Sequence, residues 1–356
     1  MKHLVPALFS SEGGIIGGAE RYAFELARHM ASHVPTSLVT FSDSPRTEKL
    51  GDLEIQIIGN PTYLKGQRSN PLAVAPLVSA LRNSEVVHCH QQHVACSSFA
   101  ALFCRLTGRR VFVSDLGGGG WDISSYISTD TWYHGHLHIS EYSRQISNQT
   151  TSPNAHVIFG GVDRDKFFPD PTVKKTGAVL YVGRLLPHKG INYLIEALPS
   201  DMCLEIIGQP YDKKFFAELQ RLSTGKNVIF RHDCTDEQLV NAYRRSLCVV
   251  LPSVYKNLFG GTTNVPELLG QTLLEGMACG VPAICTDVAS MPEIVEDGVL
   301  GFVVPPNDPQ SLREKLLWLR DHPEKTAAMG RLAHRRVAQA FDWRVVVDRC
   351  LSIYAN

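Results

Sequence analysis

The strongest constraint on this chain is a recurring alternation: short apolar runs rich in β-branched residues, each followed by a turn and then by apolar residues at helical spacing. That rhythm is how parallel βα units read in a sequence, and it sets the fold class as α/β. In the first half the spacing predicts strands at Leu4–Phe9, Ser37–Phe41, Glu54–Ile58, Val86–His90, Val111–Ser114, Leu137–Ile139 and Val157–Phe159. In the second half it predicts Ala178–Val182, Leu204–Ile207, Val228–Phe230, Cys248–Leu251, Pro282–Cys285 and Phe302–Val304. Each set is enough for a complete doubly wound, Rossmann-like sheet. Pro6 interrupts the first run, since proline has no N–H to give a ladder.

The stretch Phe168–Lys175 is polar and broken by Pro169 and Pro171, as a linker would be. The expected division is therefore an N-terminal domain over residues 1–169, a second domain over 170–340, and a tail over 341–356. Helical periodicity covers Pro309–Leu319, Glu324–Phe341 and Arg344–Tyr354. No strand follows the last of these, which leaves it available to pack back on the first domain.

Charge narrows the partners. Lys and Arg number 35 and so do Asp and Glu among 356 residues, so no basic surface argues for nucleic acid. No apolar run approaches the roughly 18–20 residues of a membrane span, and the run from Leu4 is too short for a secretory core. Nine cysteines include no CxxC pair, which disfavours zinc and dithiol chemistry. The expectation is a soluble, cytoplasmic protein. The basic stretch Arg331-Leu332-Ala333-His334-Arg335-Arg336 leaves peripheral contact with the inner face of a membrane open, beside the commoner role of a solvated face.

Two glycine runs fall at strand ends. Gly13-Gly14-Ile15-Ile16-Gly17-Gly18 precedes an amphipathic helix, a context in which backbone N–H groups can meet a phosphate. It is neither GxGxxG nor a P-loop, and a tight turn without ligand fits it as well. Gly117–Gly120, followed by Trp121 and Asp122, sits after the strand at Val111. Either a surface loop or a ligand-facing one with Trp121 against a sugar would suit it.

The second half carries the charged candidates. Arg184 and Lys189 flank one loop between a strand end and a helix start, where a guanidinium and an ammonium can hold a diphosphate. Further on, Glu267 and Glu275 bracket Gly270, Gln271 and Thr272. Read as helix, their spacing is about two turns, roughly 12 Å. One carboxylate would then precede the helix, with first-turn N–H groups facing a phosphate and the second carboxylate beyond. A nucleoside-diphosphate sugar has hydroxyls at both ends and phosphate in the middle.

At these residues the sequence resembles the retaining GT-B glycosyltransferases of family 4, whose two glutamates separated by seven residues match Glu267 to Glu275. Gly17-Gly18-Ala19-Glu20, Val87-His88-Cys89-His90, Phe159-Gly160-Gly161-Val162-Asp163, Gly183-Arg184 with Lys189-Gly190, Pro252-Ser253 and Cys279-Gly280-Val281-Pro282 extend the resemblance over nearly the whole chain. It implies two Rossmann-like domains with a cleft between them. It also implies transfer of a hexose or N-acetylhexosamine from a nucleotide sugar, UDP-sugar preferred and GDP-mannose second, to a hydroxyl of a saccharide, lipid-linked saccharide or small metabolite.

By the same resemblance Arg184, Lys189 and Glu267 are catalytic. The donor is bound by Gly17, Gly18, Arg184, Lys189, Glu267, Gly270, Gln271, Thr272 and Glu275, with Glu267 on the sugar and Glu275 on the ribose. His90, Asp115 and Trp121 lie on the acceptor side. No cofactor or metal is expected, since two cations serve the leaving group and the only DxD spacing, Asp163-Arg164-Asp165, falls in the interdomain stretch.

The chain departs from the family in three places. Val113-Ser114-Asp115-Leu116-Gly117 replaces the usual TxHG stretch, the loop from Val254 to Pro266 is longer than usual, and Gly208 alone remains of a common GxG turn. His88, His90 and His93 read as cleft-lining, as structural or as a metal cluster. A sugar-nucleotide epimerase or hydrolase of the same architecture, or a nucleotide-sugar-binding protein without catalysis, are the competing readings.

Overall fold

The β-branched runs form parallel strands flanked by helices, and the computed structural model describes residues 1–9, 17–117 and 120–356. Gly13 to Ile16 of the first glycine run, and Gly118 and Gly119 of the second, lie outside the described residues. The chain divides into two units, one of Met1–Gly161 with Trp343–Asn356 and one of Val162–Asp342.

In chain order the first unit contains β1 (Lys2–Leu4), β2 (Ser37–Ser42), β3 (Arg46–Leu50), β4 (Leu53–Gly59), β5 (Thr62–Tyr63), β6 (Pro71–Leu72), β7 (Val86–Cys89), β8 (Arg110–Val113), β9 (Gly135–His138) and β10 (Ala155–Val157). Eight of them make one sheet in the order β10-β9-β8-β7-β1-β2-β4-β3, and β5 pairs with β6 separately. All pairings in the large sheet are parallel except β3 with β4. The first strand ends at Leu4 instead of spanning Leu4–Phe9, which leaves Pro6 outside the ladder.

Side chains alternate across this sheet as a two-residue period requires. Val39, Phe41, Val87, Val111 and Val113 join one apolar cluster, with Leu77, Leu81 and Ala100 from the helices over it. Leu38, Ile55 and Ile57 join the opposite cluster, with Ala23 and Ala27 of the helix Gly18–Ala31. The final helix, Trp343–Ala355, belongs to this unit and buries Trp343, Val346, Val347, Cys350 and Tyr354. Trp343 lies over Gly161, where a Cβ would come within 2.4 Å of the indole, so only glycine fits.

The second unit has six parallel strands, β11 (Val179–Val182), β12 (Leu204–Ile207), β13 (Val228–Arg231), β14 (Cys248–Leu251), β15 (Ala283–Thr286) and β16 (Gly301–Val304). Their order is β13-β12-β11-β14-β15-β16. The chain therefore leaves β11 toward one side and β14 toward the other, which opens a crevice at their carboxyl ends; ligands of open α/β sheets sit at such a switch point. The proline-broken stretch lies inside this unit, where Arg244 donates to the Phe168 carbonyl at 2.9 Å and covers the Phe168 ring. Among the described residues no helix is long and apolar enough to cross a membrane.

Candidate active site

The residues singled out in the second half converge on the β11–β14 switch point. β11 runs into Gly183 and Arg184, and a single 3-10 turn, Pro187–Lys189, brings the chain round to Gly190. Gly190 has φ +65°, and a Cβ there would lie 1.9 Å from the Pro252 carbonyl oxygen. Only glycine lets the loop after β11 lie this close to the loop after β14.

That approach makes the central contact of the site. Lys189 is buried, and its ammonium donates to Glu267 Oε2 at 2.6 Å and to the Pro266 carbonyl at 3.3 Å. The side chains of Lys189 and Glu267 keep 11% and 18% of their exposure, so the pair is shielded yet still reached by solvent on one side. An ammonium has three N–H groups, so one remains for a ligand oxygen. Arg184, on the same loop, is exposed, and its carbonyl accepts from the hydroxyl of buried Tyr181 at 3.1 Å. Burial, with the Lys189 charge second, pulls the pKa of His188 down to about 4.

Gly270, with φ +81°, starts the helix Gln271–Ala278, and its carbonyl takes the first intrahelical bonds from Leu273 and Leu274. The first-turn N–H groups, those of Gln271 and Thr272 included, point out of the helix N-terminus, where an anion is favoured. Glu275 is the fifth residue of this helix, while Glu267 lies in the irregular segment before it. Glu267 thus precedes the helix as expected, while Glu275 sits little more than one turn into it instead of two. Glu275 is 9% exposed and accepts a hydrogen bond from Tyr243 at 2.8 Å. Burial, then the Glu275 charge, pushes the Tyr243 phenol well above its ordinary range, so it stays a donor.

In the first unit, Gly17 caps the helix Gly18–Ala31 in an extended conformation without a side-chain cap. His90 is 4% exposed and lines a small cavity with Pro6, Ala19, Gln91, Leu116 and Gly117. Its Nε2 is 2.8 Å from His3 Nδ1. Asp115 is half-buried at the end of β8. Trp121 is half-buried, held through its carbonyl by Asn70 at 2.7 Å, with the Lys65 ammonium 3.9 Å from its ring centre. No hydrogen bond or ring contact joins Trp121 to His90 or Asp115 among the described residues.

The histidine cluster differs from the one read in the sequence. His3, His88 and His90 bring ligand atoms within 4.8 Å of one another, whereas exposed His93 bonds Ser124 instead. His88 is tied to Ser114 Oγ at 2.9 Å and to Tyr354 Oη at 2.7 Å, which joins β7 to the final helix. Burial lowers the pKa of all three, that of His88 to about 3, so they are neutral near pH 7. No local pattern signals His3, which precedes the apolar run from Leu4 although β1 begins at Lys2. Tyr243 and the Pro266 carbonyl escaped because neither lies in the local pattern around its partner.

Comparison with known proteins fits this arrangement. Residues 16–166 match the model for Glycosyltransferase Family 4, and residues 162–336 match that for Glycosyl transferases group 1. The D-rhamnosyltransferase WbpZ of Pseudomonas aeruginosa is 30% identical over 214 residues, which cover 57% of this chain and 52% of that protein. A GDP-mannose-dependent monoacylated alpha-(1-6)-phosphatidylinositol monomannoside mannosyltransferase of Corynebacterium glutamicum is 26% identical over 371 residues, covering 95% of this chain and 94% of that protein. The match therefore spans about half of the first relative and nearly all of the second.

Among solved structures, Anabaena Alr3699/HepE in complex with UDP and glucose superimposes with a TM-score of 0.75 at 18% identity, covering 100% of this chain and 99% of that one. That likeness defines the fold class as GT-B, two Rossmann-like domains. With the two family models, which together span residues 16–336, it makes the chain a GT-B-fold glycosyltransferase related to both of these families.

Proposed function

We propose that this protein transfers a hexose or N-acetylhexosamine from a nucleoside-diphosphate sugar, a UDP-sugar by preference and GDP-mannose as second choice, to a hydroxyl acceptor with retention of configuration. The observation that carries the reading is the Lys189–Glu267 contact at the switch point, beside an exposed Arg184 and a helix N-terminus. A fixed cation, a second exposed cation and convergent N–H groups are what a departing diphosphate requires.

In this reading the bond from the anomeric carbon to the β-phosphate oxygen breaks, and its electron pair stays on that oxygen. Arg184 and Lys189 stabilise the charge, while Gly270, Gln271 and Thr272 offer backbone N–H groups to the phosphates. Glu267 accepts from the sugar hydroxyls and Glu275 from the ribose. The acceptor oxygen bonds to the anomeric carbon on the face the diphosphate leaves, and its proton passes to the released phosphate oxygen. No lone base is needed, because the leaving group supplies it. Gly17 and Gly18 add a second anion-binding helix N-terminus on the first unit, where His90, Asp115 and Trp121 form the acceptor side.

The donor domain is then the second unit and the acceptor domain the first. We place the protein in the cytoplasm, a reading supported by nine cysteines none of which is paired. The test is release of nucleoside diphosphate from a panel of UDP- and GDP-sugars, with and without candidate hydroxyl acceptors. Arg184→Ala is expected to lower kcat by about 10²–10³, the usual effect of removing one preorganised charge-stabilising donor. Unchanged turnover in that variant would sink the assignment of Arg184. Failure of the wild type to bind any of the sugars would sink the whole reading.

A further inference from the structure

The segment from Val254 to Pro266 follows β14 and delivers Glu267, and it is not a loose loop. Lys256 and Thr262 form an antiparallel bridge, Asn257 N–H donates to the Gly261 carbonyl at 2.9 Å, and Thr263 N–H donates to the Tyr255 carbonyl at 2.9 Å. Asn257 Oδ1 closes the turn by accepting from the N–H groups of Phe259 at 2.9 Å and Gly261 at 3.2 Å. The result is a small hairpin.

Its anchors lie on the other loops at the carboxyl edge of the sheet. At its base, Val254 N–H donates to the His188 carbonyl at 2.8 Å, and the Pro266 carbonyl accepts from Lys189 at 3.3 Å. Both ends are therefore stitched to the loop after β11. Beyond β15, the Ala289 N–H donates to the Tyr255 hydroxyl at 2.8 Å, and beyond β16 the Asn307 amide donates to the Lys256 carbonyl at 3.0 Å. On the opposite side, the Phe259 ring stands edge-on to buried Phe215, 6.4 Å between centres, with the Lys214 ammonium 4.4 Å from it. Lys214 and Phe215 open the helix Lys213–Leu222, which follows β12.

One hairpin thus spans the edge from the β12 side to the β16 side, across the place where ligands of open α/β sheets bind. Connections this long inside a compact domain are usually functional, and this one is held by hydrogen bonds at both ends and on its β15–β16 flank, and by ring contacts on its β12 flank. We infer that the Val254–Pro266 hairpin is a fixed wall over the transferred sugar: it sets which sugar the enzyme accepts, and its last carbonyl positions the Lys189 ammonium. The inference rests on the donor reading above. It assigns the hairpin to the sugar end because its exit is Pro266-Glu267, the contact pair of Lys189, and not to the nucleotide end, which Glu275 and the helix serve.

The experiment compares dissociation constants for UDP and GDP alone with those for several sugars on the same nucleotide. It uses the full-length wild type, a variant with residues 256–263 replaced by two glycines, and Phe259→Ala. Phe259→Ala removes only the outer anchor and keeps the test decisive if the shortened chain fails to fold. In the shortened variant, affinity for the bare nucleoside diphosphate is expected within about twofold of wild type, while discrimination between the best and second-best sugar falls at least about tenfold; Phe259→Ala should lose about threefold. Undiminished sugar discrimination in Phe259→Ala and in any folded shortened variant would overturn this inference alone. A wild type that binds neither nucleotide nor nucleotide sugar would overturn the donor reading and this inference with it.

Discussion

Replacing Lys189 with methionine tests the central contact, because it removes the charge and keeps most of the side-chain volume. Glu267 would then be a carboxylate at 18% side-chain exposure that has lost a donor at 2.6 Å. Orphaning one member of a fully buried pair costs roughly 3–5 kcal/mol, and residual solvent access at Glu267 lowers the expectation to about 2–3 kcal/mol. For a domain of this size, about 2–4 °C per kcal/mol translates that into a fall in Tm of roughly 5–10 °C.

The double variant Lys189→Met/Glu267→Gln removes the orphaned charge, so it should recover most of the lost stability, with a coupling energy on the order of 1–2 kcal/mol. It should not recover activity. Both variants are expected to turn over at least about 10²-fold more slowly than wild type, because a cation for the leaving diphosphate is gone in each. Thermal unfolding and initial rates at saturating donor provide both readouts on the same samples. If the stability losses of Lys189→Met and of Glu267→Gln, each measured alone, added up to that of the double variant, or if the double variant regained activity, the pairing would not be what organises this site.

Other expectations follow from particular side chains. Tyr243→Phe removes the hydroxyl that donates to buried Glu275 and should cost about 1–3 kcal/mol by urea denaturation, as expected for a buried acceptor left short of a donor. Gly190→Ala would force a Cβ onto the Pro252 carbonyl at a φ of +65°, so it should fail to accumulate as soluble protein or lose more than about 3 kcal/mol. The pH dependence has a definite sign. His88 titrates at about 3 when folded and near 6.5 when unfolded, so between those values the unfolded chain binds the extra proton. Stability from this group is complete above about pH 7 and is lost progressively as the pH falls from 6.5 toward 3. The Tm should drop from pH 7.5 to pH 5, and the drop should be smaller in His88→Gln; equal slopes in the two proteins would contradict the assignment.

Much of the fold could be read from the sequence because the buried parallel strands are continuous apolar runs. Ser37–Ser42, Leu204–Ile207 and Cys248–Leu251 fall where Val, Ile and Leu cluster. β3 could not be found this way, since Arg46-Thr47-Glu48-Lys49-Leu50 is exposed along its whole length and joins the sheet by antiparallel pairing with β4. Its charges suit an edge strand, where they discourage further pairing, but they erase the apolar signal. At the site, the two glutamates and the Arg184–Lys189 loop were visible as local motifs. The contact between Lys189 and Glu267 was not, because it joins residues 78 positions apart through the strand order. The unusual length of the Val254–Pro266 segment was likewise visible, while its hairpin depends on anchors from the loops after β15 and β16 and on the helix after β12.

The most direct test of the account is a thermal-shift panel of UDP, GDP, ADP and their common sugars on wild type and Glu275→Ala, since a ligand that binds the folded state raises Tm by mass action. The account predicts that one nucleotide and its sugars stabilise the wild type selectively, UDP before GDP, and that the shift shrinks in Glu275→Ala. No shift with any nucleotide at millimolar concentration, or an equal shift in the variant, would contradict it.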